Sequence, residues 1–319
     1  MPYRVRWGEV GKREEKSGAG QGGKNKFRHI GKILYLCIWN QYIPKVMAKG
    51  RILYVSQDIM PFSEESATAT LGRYLPAKIQ EMGRDIRVFM PKFSSISERK
   101  HQLHEVIRLS GMNMIVNNSD HQLLIKVGSI PTARMQVYFI DNEDYFSRLP
   151  HPTDENGMLD EMSDERLLFF GRGVLEAVRK LAWQPHLINF MGWSSAMIPF
   201  YLRRINKENS FFSGTKLVIT LMDDSFNGRV GGDLERKMKA DNATAKDLRL
   251  YGDTTYLGLM KAAITFSQGV IIGSPNVDPE LVDFAKANKR NVLDFIEDRD
   301  EFYTRTNKFY DTITGRIEN

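Results

Sequence analysis

Short apolar runs of strand length alternate along this chain with segments in which apolar residues recur at helical spacing. The strand-length runs are RILYVS at 51–56, RDIRVFM at 84–90, HLINF at 186–190, KLVITLM at 216–222 and VIIGS at 270–274. Helical spacing predicts helices over about 68–82, 163–181, 196–204, 253–268 and 279–289. This alternation predicts an α/β fold with a Rossmann-like wound, mostly parallel sheet.

Two stretches depart from the alternation. Residues 104–141 hold several short alternating segments around polar turns such as Asn117–Asn118, which predicts a β-meander inserted in the wound sheet. Aromatic residues recur at near-helical spacing within 298–313 and predict a closing helix. The predicted organisation is a leader at 1–46, a domain at 47–290 and a C-terminal helix at 291–319 that packs back on the domain.

The formal net charge of +6 comes from the leader. Residues 1–46 hold ten Lys or Arg against three Asp or Glu, and the remainder holds 35 basic and 36 acidic residues. Since the body is near neutral and has no basic stripe that could follow a phosphate backbone, we expect no nucleic-acid partner.

The compartment is predicted from the cysteine count and from the apolar patches. The single cysteine, Cys37, excludes an internal disulfide framework and favours a reducing compartment. The apolar patch ILYLCIWNQYI at 33–43 is too short for a membrane-spanning helix, which needs about 20 residues. We expect a cytoplasmic protein without a membrane span, and a disordered or artefactual leader before a true start at Met47.

Short catalytic motifs are absent from the sequence. It contains no Walker, HExxH or GxSxG pattern. The histidines at 101, 104 and 121 lie in a segment predicted as strand and turn, without the helical spacing of a zinc pair. We therefore expect no metal and no cofactor. The adjacent acidic residues Asp164–Glu165 and Asp223–Asp224 are expected to be solvated.

Several segments in a fixed order resemble one known family. They are SQDIMPF at 56–62, LP at 75–76, YFIDNEDYF at 138–146, DERLLFF at 164–170, WQPHLI at 183–188 with Trp193, and KLVIT at 216–220. They resemble, in the same order and over about 51–285, segments of bacterial glycogen and starch synthases. The resemblance implies the N-terminal domain of a two-domain, GT-B type glycosyltransferase.

The chain departs from that family at the loop which binds the phosphates of a nucleotide-sugar. There the family has a lysine and a glycine-rich turn at a helix start. The matching positions here are Glu64, Glu65, Ser66, Ala67 and Thr68, with Glu64 in place of the lysine. A carboxylate about 4 Å from a phosphate costs on the order of 1–4 kcal/mol. The resemblance thus implies a degenerate phosphate loop.

A second departure removes polar groups near the family's reaction centre. Met191 stands in place of a histidine that orients the sugar, while Met222 and Asp223 replace the histidine and asparagine of the TIHN segment. Methionine fills similar volume but gives no proton and no strong hydrogen bond. We therefore predict no catalytic residue at these positions. The family's donor-side domain would begin near Ser274–Pro275, close to the end of this chain.

Four residues are candidates for binding an α-glucan through the same resemblance. Trp193 could stack on a sugar ring, or it could be a core residue below the cleft. Asp141, Asn142 and Tyr145 could hydrogen-bond an acceptor glucan, or they could cap and stabilise their own loop.

Three functional hypotheses follow from the sequence. The first is a non-catalytic relative that binds a glycogen-like α-glucan or has a regulatory role. The second is a transferase of glucose from ADP-glucose to α-1,4-glucan, completed by a partner chain that supplies a donor domain. The third is an interaction scaffold unrelated to glucan. The first is favoured, because Met191 and Met222 fill the volume of the family's histidines but lack their polar groups.

Overall fold

Ten strands form a mostly parallel sheet in the computed structural model, which describes residues 50–208 and 210–315. The strands are β1 Arg51–Ser56, β2 Asp85–Pro91, β3 His104–Glu105, β4 Met112–Val116, β5 Ser119–Ile130, β6 Met135–Asp141, β7 Leu187–Met191, β8 Lys216–Leu221, β9 Gly269–Ile272 and β10 Asn291–Leu293. Their order is β10-β9-β8-β7-β1-β2-β6-β5-β3, with β4 paired to β5. The predicted α/β fold with a wound, mostly parallel sheet is confirmed.

Helices connect most of the parallel strands. Within the described ranges they are α1 Ala67–Glu81, α2 Glu98–His101, α3 Ser163–Lys180, α4 Ile198–Glu208, α5 Leu234–Ala240, α6 Ala245–Leu250, α7 Tyr256–Phe266, α8 Pro279–Ala287 and α9 Arg299–Thr314. None of the helices in these ranges combines the length and the apolar character needed to cross a membrane.

The order of the strands reverses at β1. β1 pairs in parallel with β2 on one side and with β7 on the other, and β7 continues to β8. β7 is buried at every position, as expected for a strand covered on both faces. In a sheet of this kind, ligands bind beyond the carboxyl ends of the strands where the order reverses. The loops that follow β1, β7 and β8 are therefore the first place to look for a site.

The predicted meander is present and is joined to the wound sheet through β6. β5 is antiparallel to β4 and to β6, whereas β6 is parallel to β2. The β4–β5 turn is formed by Asn117 and Asn118, whose φ angles of 51° and 62° place both in the left-handed region. Asparagine tolerates that region and is favoured in two-residue hairpin turns.

Four elements were not predicted from the sequence, and one of them is the short helix α2 at Glu98–His101. α5 and α6 lie in a stretch without a clear apolar period, although Thr244 and Asp247 form a capping box at the start of α6. β10 adds an edge strand at 291–293, so the sheet continues past residue 290 and the last segment is not helical throughout. The predicted disordered leader lies outside the described residues.

The closing helix α9 packs on the sheet through a buried polar network. The Tyr310 hydroxyl lies 3.2 Å from that of Tyr54 and accepts a hydrogen bond from the Asn189 amide. At the edge of this contact the Arg84 guanidinium donates to both carboxylate oxygens of Asp311, at 2.7 and 2.6 Å, and to Asn307. The helix is therefore tied to β1, to β7 and to the residue that precedes β2.

We expect Arg84→Ala to lower the free energy of unfolding by about 2 kcal/mol, because charge-assisted bonds to a shielded Asp311 are lost. The side chains of this pair are only 10% and 16% exposed. Arg305→Ala is the matched control, since Arg305 pairs with Glu301 on the solvent side of α9 at 57% and 56% exposure. Urea titration measures both variants. Equal losses would contradict a stabilising role of the Arg84 contact.

Candidate functional site

A cleft of about 1000 Å³ opens next to the loop that follows β1. Three segments line it: the β1–α1 loop from Gln57 to Ser66, the stretch from Phe93 to His101, and the loop 150–156. The β1–α1 loop lies at the reversal of strand order, which is where an α/β sheet binds its ligands. The cleft is thus in the expected place and has the size of a ligand site.

The cleft walls combine aromatic rings with hydrogen-bonding groups. Phe62 packs edge-on against His101 with ring centres 5.0 Å apart, and Phe93 lines the same space. Partial burial and then the charge of Lys100 lower the pKa of His101. Burial also raises the pKa of the Asp58 carboxyl, against the lowering effect of hydrogen bonds from Ser63 and Gln57. Apolar rings with a few polar groups are typical of sites for small organic ligands.

The degenerate phosphate loop forms the start of α1. Ser66 caps this helix, because its hydroxyl accepts a hydrogen bond from the Ala69 amide at 3.0 Å. Glu64 and Glu65 precede the cap and are exposed, as are Ser66 and Ala67, while Thr68 is buried. The helix N-terminus that could attract an anion is present, but two carboxylates stand directly before it.

Two positions that carry polar groups in the family are occupied here by buried methionine side chains. Met191 ends β7 and Met222 follows β8, and they are 0% and 1% exposed. An added Cβ on Gly273 would lie 2.5 Å from the Met222 sulfur, so the methionine fills the space beside this glycine. Asp223 is exposed. The two methionines therefore offer no proton donor or acceptor at this end of the sheet.

Trp193 lies inside the domain. Its ring is 4% exposed and packs edge-on against Phe226 at 5.0 Å, and Phe226 in turn packs against Tyr256. Phe226, which covers the Trp193 ring, lies in the loop after β8, far from Trp193 in the sequence. In this conformation no ring face of Trp193 is open to a sugar, so its role in glucan binding stays a prediction that requires the cover to move.

The other three candidate binding residues are also engaged internally. Asp141 is 1% exposed and pairs with Lys126 at 2.7 Å. Asn142 donates to the Gln122 carbonyl and accepts from the amides of residues 144 and 145, which is the loop-capping alternative. The hydroxyl of Tyr145 donates to Glu165 at 2.9 Å. The structure brings these residues together around one loop, and their glucan contacts stay a prediction.

The expectation of solvated acidic pairs is wrong for Asp164 and Glu165, whose side chains are 0% and 12% exposed, while of the second pair only Asp223 is exposed. Asp164 is fully buried and pairs with Lys237 at 2.7 Å, and Lys237 also lies 2.8 Å from Glu165. Burial raises the pKa of Asp164, and the lysine counters this. The partner lies 73 residues away in sequence, so local sequence contains no sign of the contact.

Asp224 is the residue that sequence reasoning missed. Its Oδ2 atom is inaccessible to solvent, whereas the adjacent Asp223 is exposed. Burial, together with the nearby carboxylates of Asp58 and Asp223, raises the pKa of Asp224 to about 7 against the lowering effect of hydrogen bonds from Tyr256 and from the Trp193 amide. An acidic residue directly after a buried strand was the available signal, because this position lies at the carboxyl edge of the sheet.

Metal binding finds no support in the part of the chain that the structure describes. No group of three or more His, Cys, Asp or Glu side chains there is arranged to hold an ion. Asp164, which is buried, is instead paired with Lys237, and the half-buried Asp224 contacts Tyr256.

The architecture and the position of the cleft define a class: a wound α/β domain of GT-B type. Residues 51–294 match the family model described as the starch synthase catalytic domain, and the chain belongs to that family. The resemblance inferred from the sequence is thereby confirmed.

Similar proteins agree with this membership. Glycogen synthases of Chlorobium phaeobacteroides and Chlorobium limicola are 36% and 37% identical over 172 residues, or 54% of this chain and 35% of each relative. The chain thus spans about a third of the length of these curated relatives. The catalytic domain of starch synthase IV from Arabidopsis thaliana, bound to ADP and acarbose, superposes with a TM-score of 0.61. That match has 12% identity and covers 78% of this chain and 51% of the other, which supports the fold.

Proposed function

We propose that this protein is a non-catalytic member of the family that binds an α-glucan. The observation that carries the proposal is the open cleft of about 1000 Å³ beside Phe62 and His101, at a sheet end where Met191 and Met222 are buried. The cleft keeps the size and the mixed apolar and polar walls that suit a saccharide. The methionines leave nothing to assist a transfer reaction at those positions.

The charges around the cleft favour a neutral ligand over a nucleotide-sugar. Glu64 and Glu65 precede α1, and Asp154 and Glu155 lie in the loop on the other side of the cleft. Lys100 is the fixed positive charge among the lining residues. A diphosphate that enters this cleft meets several carboxylates, whereas a glucan carries no charge and is not repelled.

A transferase completed by a partner chain is the second candidate. The observation in its favour is the intact N-terminus of α1, a helix of fifteen residues with a Ser66 cap, which could still donate to a phosphate. A partner that binds here would have to bring positive charge to offset Glu64 and Glu65.

The proposal is tested by incubating the full chain with glycogen and ADP-glucose labelled in the glucose. We expect the protein to sediment with glycogen and to transfer no label to it. Incorporation of label by the chain alone would contradict the non-catalytic assignment. Failure to sediment with glycogen would contradict glucan binding. Label that appears only after a cell extract is added would favour the second candidate.

A further inference from the structure

The two oxygen atoms next to the Tyr256 hydroxyl favour a neutral Asp224. The Tyr256 hydroxyl oxygen lies 3.3 Å from the Met222 carbonyl oxygen and 3.2 Å from Asp224 Oδ1. A hydroxyl group has one proton to donate, and a carbonyl can only accept. Both contacts are full hydrogen bonds when the hydroxyl donates to Met222 and accepts a proton from Asp224. Both contacts of the Tyr256 hydroxyl are therefore satisfied when Asp224 is a neutral carboxylic acid.

The groups that face Asp224 give its ionised form little support. Asp58 approaches from the β1–α1 loop and Asp223 from the same loop as Asp224, and both are acidic. Two hydrogen-bond donors favour the ionised form: the Tyr256 hydroxyl from α7 and the Trp193 amide from the turn after β7. Asp278, at the start of α8, acts on Tyr256 as a further negative charge. Ionised Asp224 would thus sit among acidic groups in a shielded place.

Asp224 and Gln57, which lines the cleft, both lie beside Gly192. An added Cβ on Gly192 would lie 3.0 Å from Asp224 Oδ2 and 3.0 Å from Gln57 Cβ, so the three residues meet at this glycine. Gln57 lines the cleft and accepts a hydrogen bond from the Ser194 amide at 3.4 Å. The glycine has a φ of 82°, in the left-handed region that other residues adopt rarely. One turn, at Gly192, thus separates Asp224 from a residue that lines the cleft.

We propose that Asp224 is a proton-controlled switch of the cleft floor, by which we mean Gln57 and the adjacent turn 192–195. When neutral, it joins α7 to the turn 192–195 and holds Gln57 in place. When Asp224 loses its proton, charge repulsion from Asp58 and the cost of a shielded charge loosen this turn. The cleft is then less ordered at alkaline pH. The consequence for glucan rests on the function proposed above: affinity for glycogen falls as the pH rises.

Hydrogen exchange of the full chain between pH 5.5 and 8.5 tests the switch. Protection of the Trp193 and Ser194 amides, corrected for intrinsic exchange, should fall by up to about tenfold per pH unit and level off near pH 7. Asp224→Asn reproduces the neutral acid, since its NH₂ can donate to Tyr256 and its carbonyl can accept from Trp193. This variant should give a flat profile, and Asp223→Asn should behave like the wild type.

Each outcome of the exchange experiment decides the proposal. A wild-type profile that is flat, or one that Asp224→Asn shares, overturns the switch. The wild-type profile alone is decisive if Asp224→Asn fails to fold.

Glycogen gels at pH 6 and pH 8.5 then test whether protonation of Asp224 also affects glycogen binding. Weaker retardation at pH 8.5 for the wild type than for Asp224→Asn supports the link, and equal changes in both overturn it. The two proteins share every other residue, so a difference between them arises at position 224.

The same gels separate the two proposals. If glycogen retards the protein at neither pH while the exchange profile follows Asp224, the glucan function is wrong and the proton-controlled floor stands. If glycogen retards the protein equally at both pH values and the exchange profile is flat, the glucan function stands and the switch is wrong.

Discussion

Replacement of Lys237 by alanine is expected to lower the free energy of unfolding by about 3–5 kcal/mol, because it leaves buried carboxylates without their cation. Lys237 is 6% exposed, and its amino group lies between Asp164 and Glu165 at 2.7 and 2.8 Å. These two residues begin α3, while Lys237 lies on α5. The substitution removes a contact that joins two helices far apart in sequence.

Two further variants isolate the charge effect. Lys239→Ala, on the same short helix, removes an exposed pair with Glu235 and should cost at most about 0.5 kcal/mol. Lys237→Met keeps most of the apolar stem and should destabilise nearly as much as the alanine variant. Urea unfolding measures all three proteins at pH 7. A loss at Lys237→Met no larger than that at Lys239→Ala would contradict a role for the buried charge.

Asp224→Asn is expected to stabilise the protein increasingly as the pH rises. The folded-state pKa of Asp224 is about 7, well above the ordinary value of 3.8. Between these two values the folded protein holds a proton that the unfolded chain has released, so the wild-type free energy of unfolding falls with rising pH. The slope is about 1.4 kcal/mol per pH unit from this residue, and it vanishes above pH 7, where both states are ionised.

The asparagine variant has no proton to lose at this position and lacks this slope. The stability gap between Asp224→Asn and wild type should therefore widen from pH 4 to pH 7 and stay constant above it. Asp223→Asn is the control, since Asp223 is exposed in the same loop. Urea titrations at pH 5, 6, 7 and 8 give the gap. A gap that is independent of pH would contradict the shielded, neutral state of Asp224.

The sheet and most of its helices could be predicted from periodicity alone. β1, β7 and β8 are runs of apolar residues that the structure buries almost completely, which is a strong local signal. α5 and α6 were missed, because they are short and are held by contacts such as the buried Lys237 pair instead of by an apolar stripe. Length and period are properties of the local sequence, whereas these contacts are not.

The candidate site could be predicted only in part. The loop at 64–68 and the methionines at 191 and 222 lie at the carboxyl ends of the strands, as expected from the resemblance. Burial of Trp193 under Phe226 could not be predicted, because the covering ring is 33 positions away on another loop. The protonation of Asp224 likewise depends on Tyr256 and Asp58, which the fold brings together from α7 and from the loop after β1.

Affinity electrophoresis of the full chain through gels with and without glycogen tests the central claim most directly. His151→Ala removes a side chain that lines the cleft, and His104→Ala removes an exposed histidine on β3 as the matched control. We expect glycogen to retard the wild type and His104→Ala equally. His151→Ala should bind about fivefold more weakly, as expected for the loss of one hydrogen bond worth about 1 kcal/mol. Unchanged wild-type mobility in glycogen, or equal retardation of all three proteins, would contradict glucan binding in this cleft.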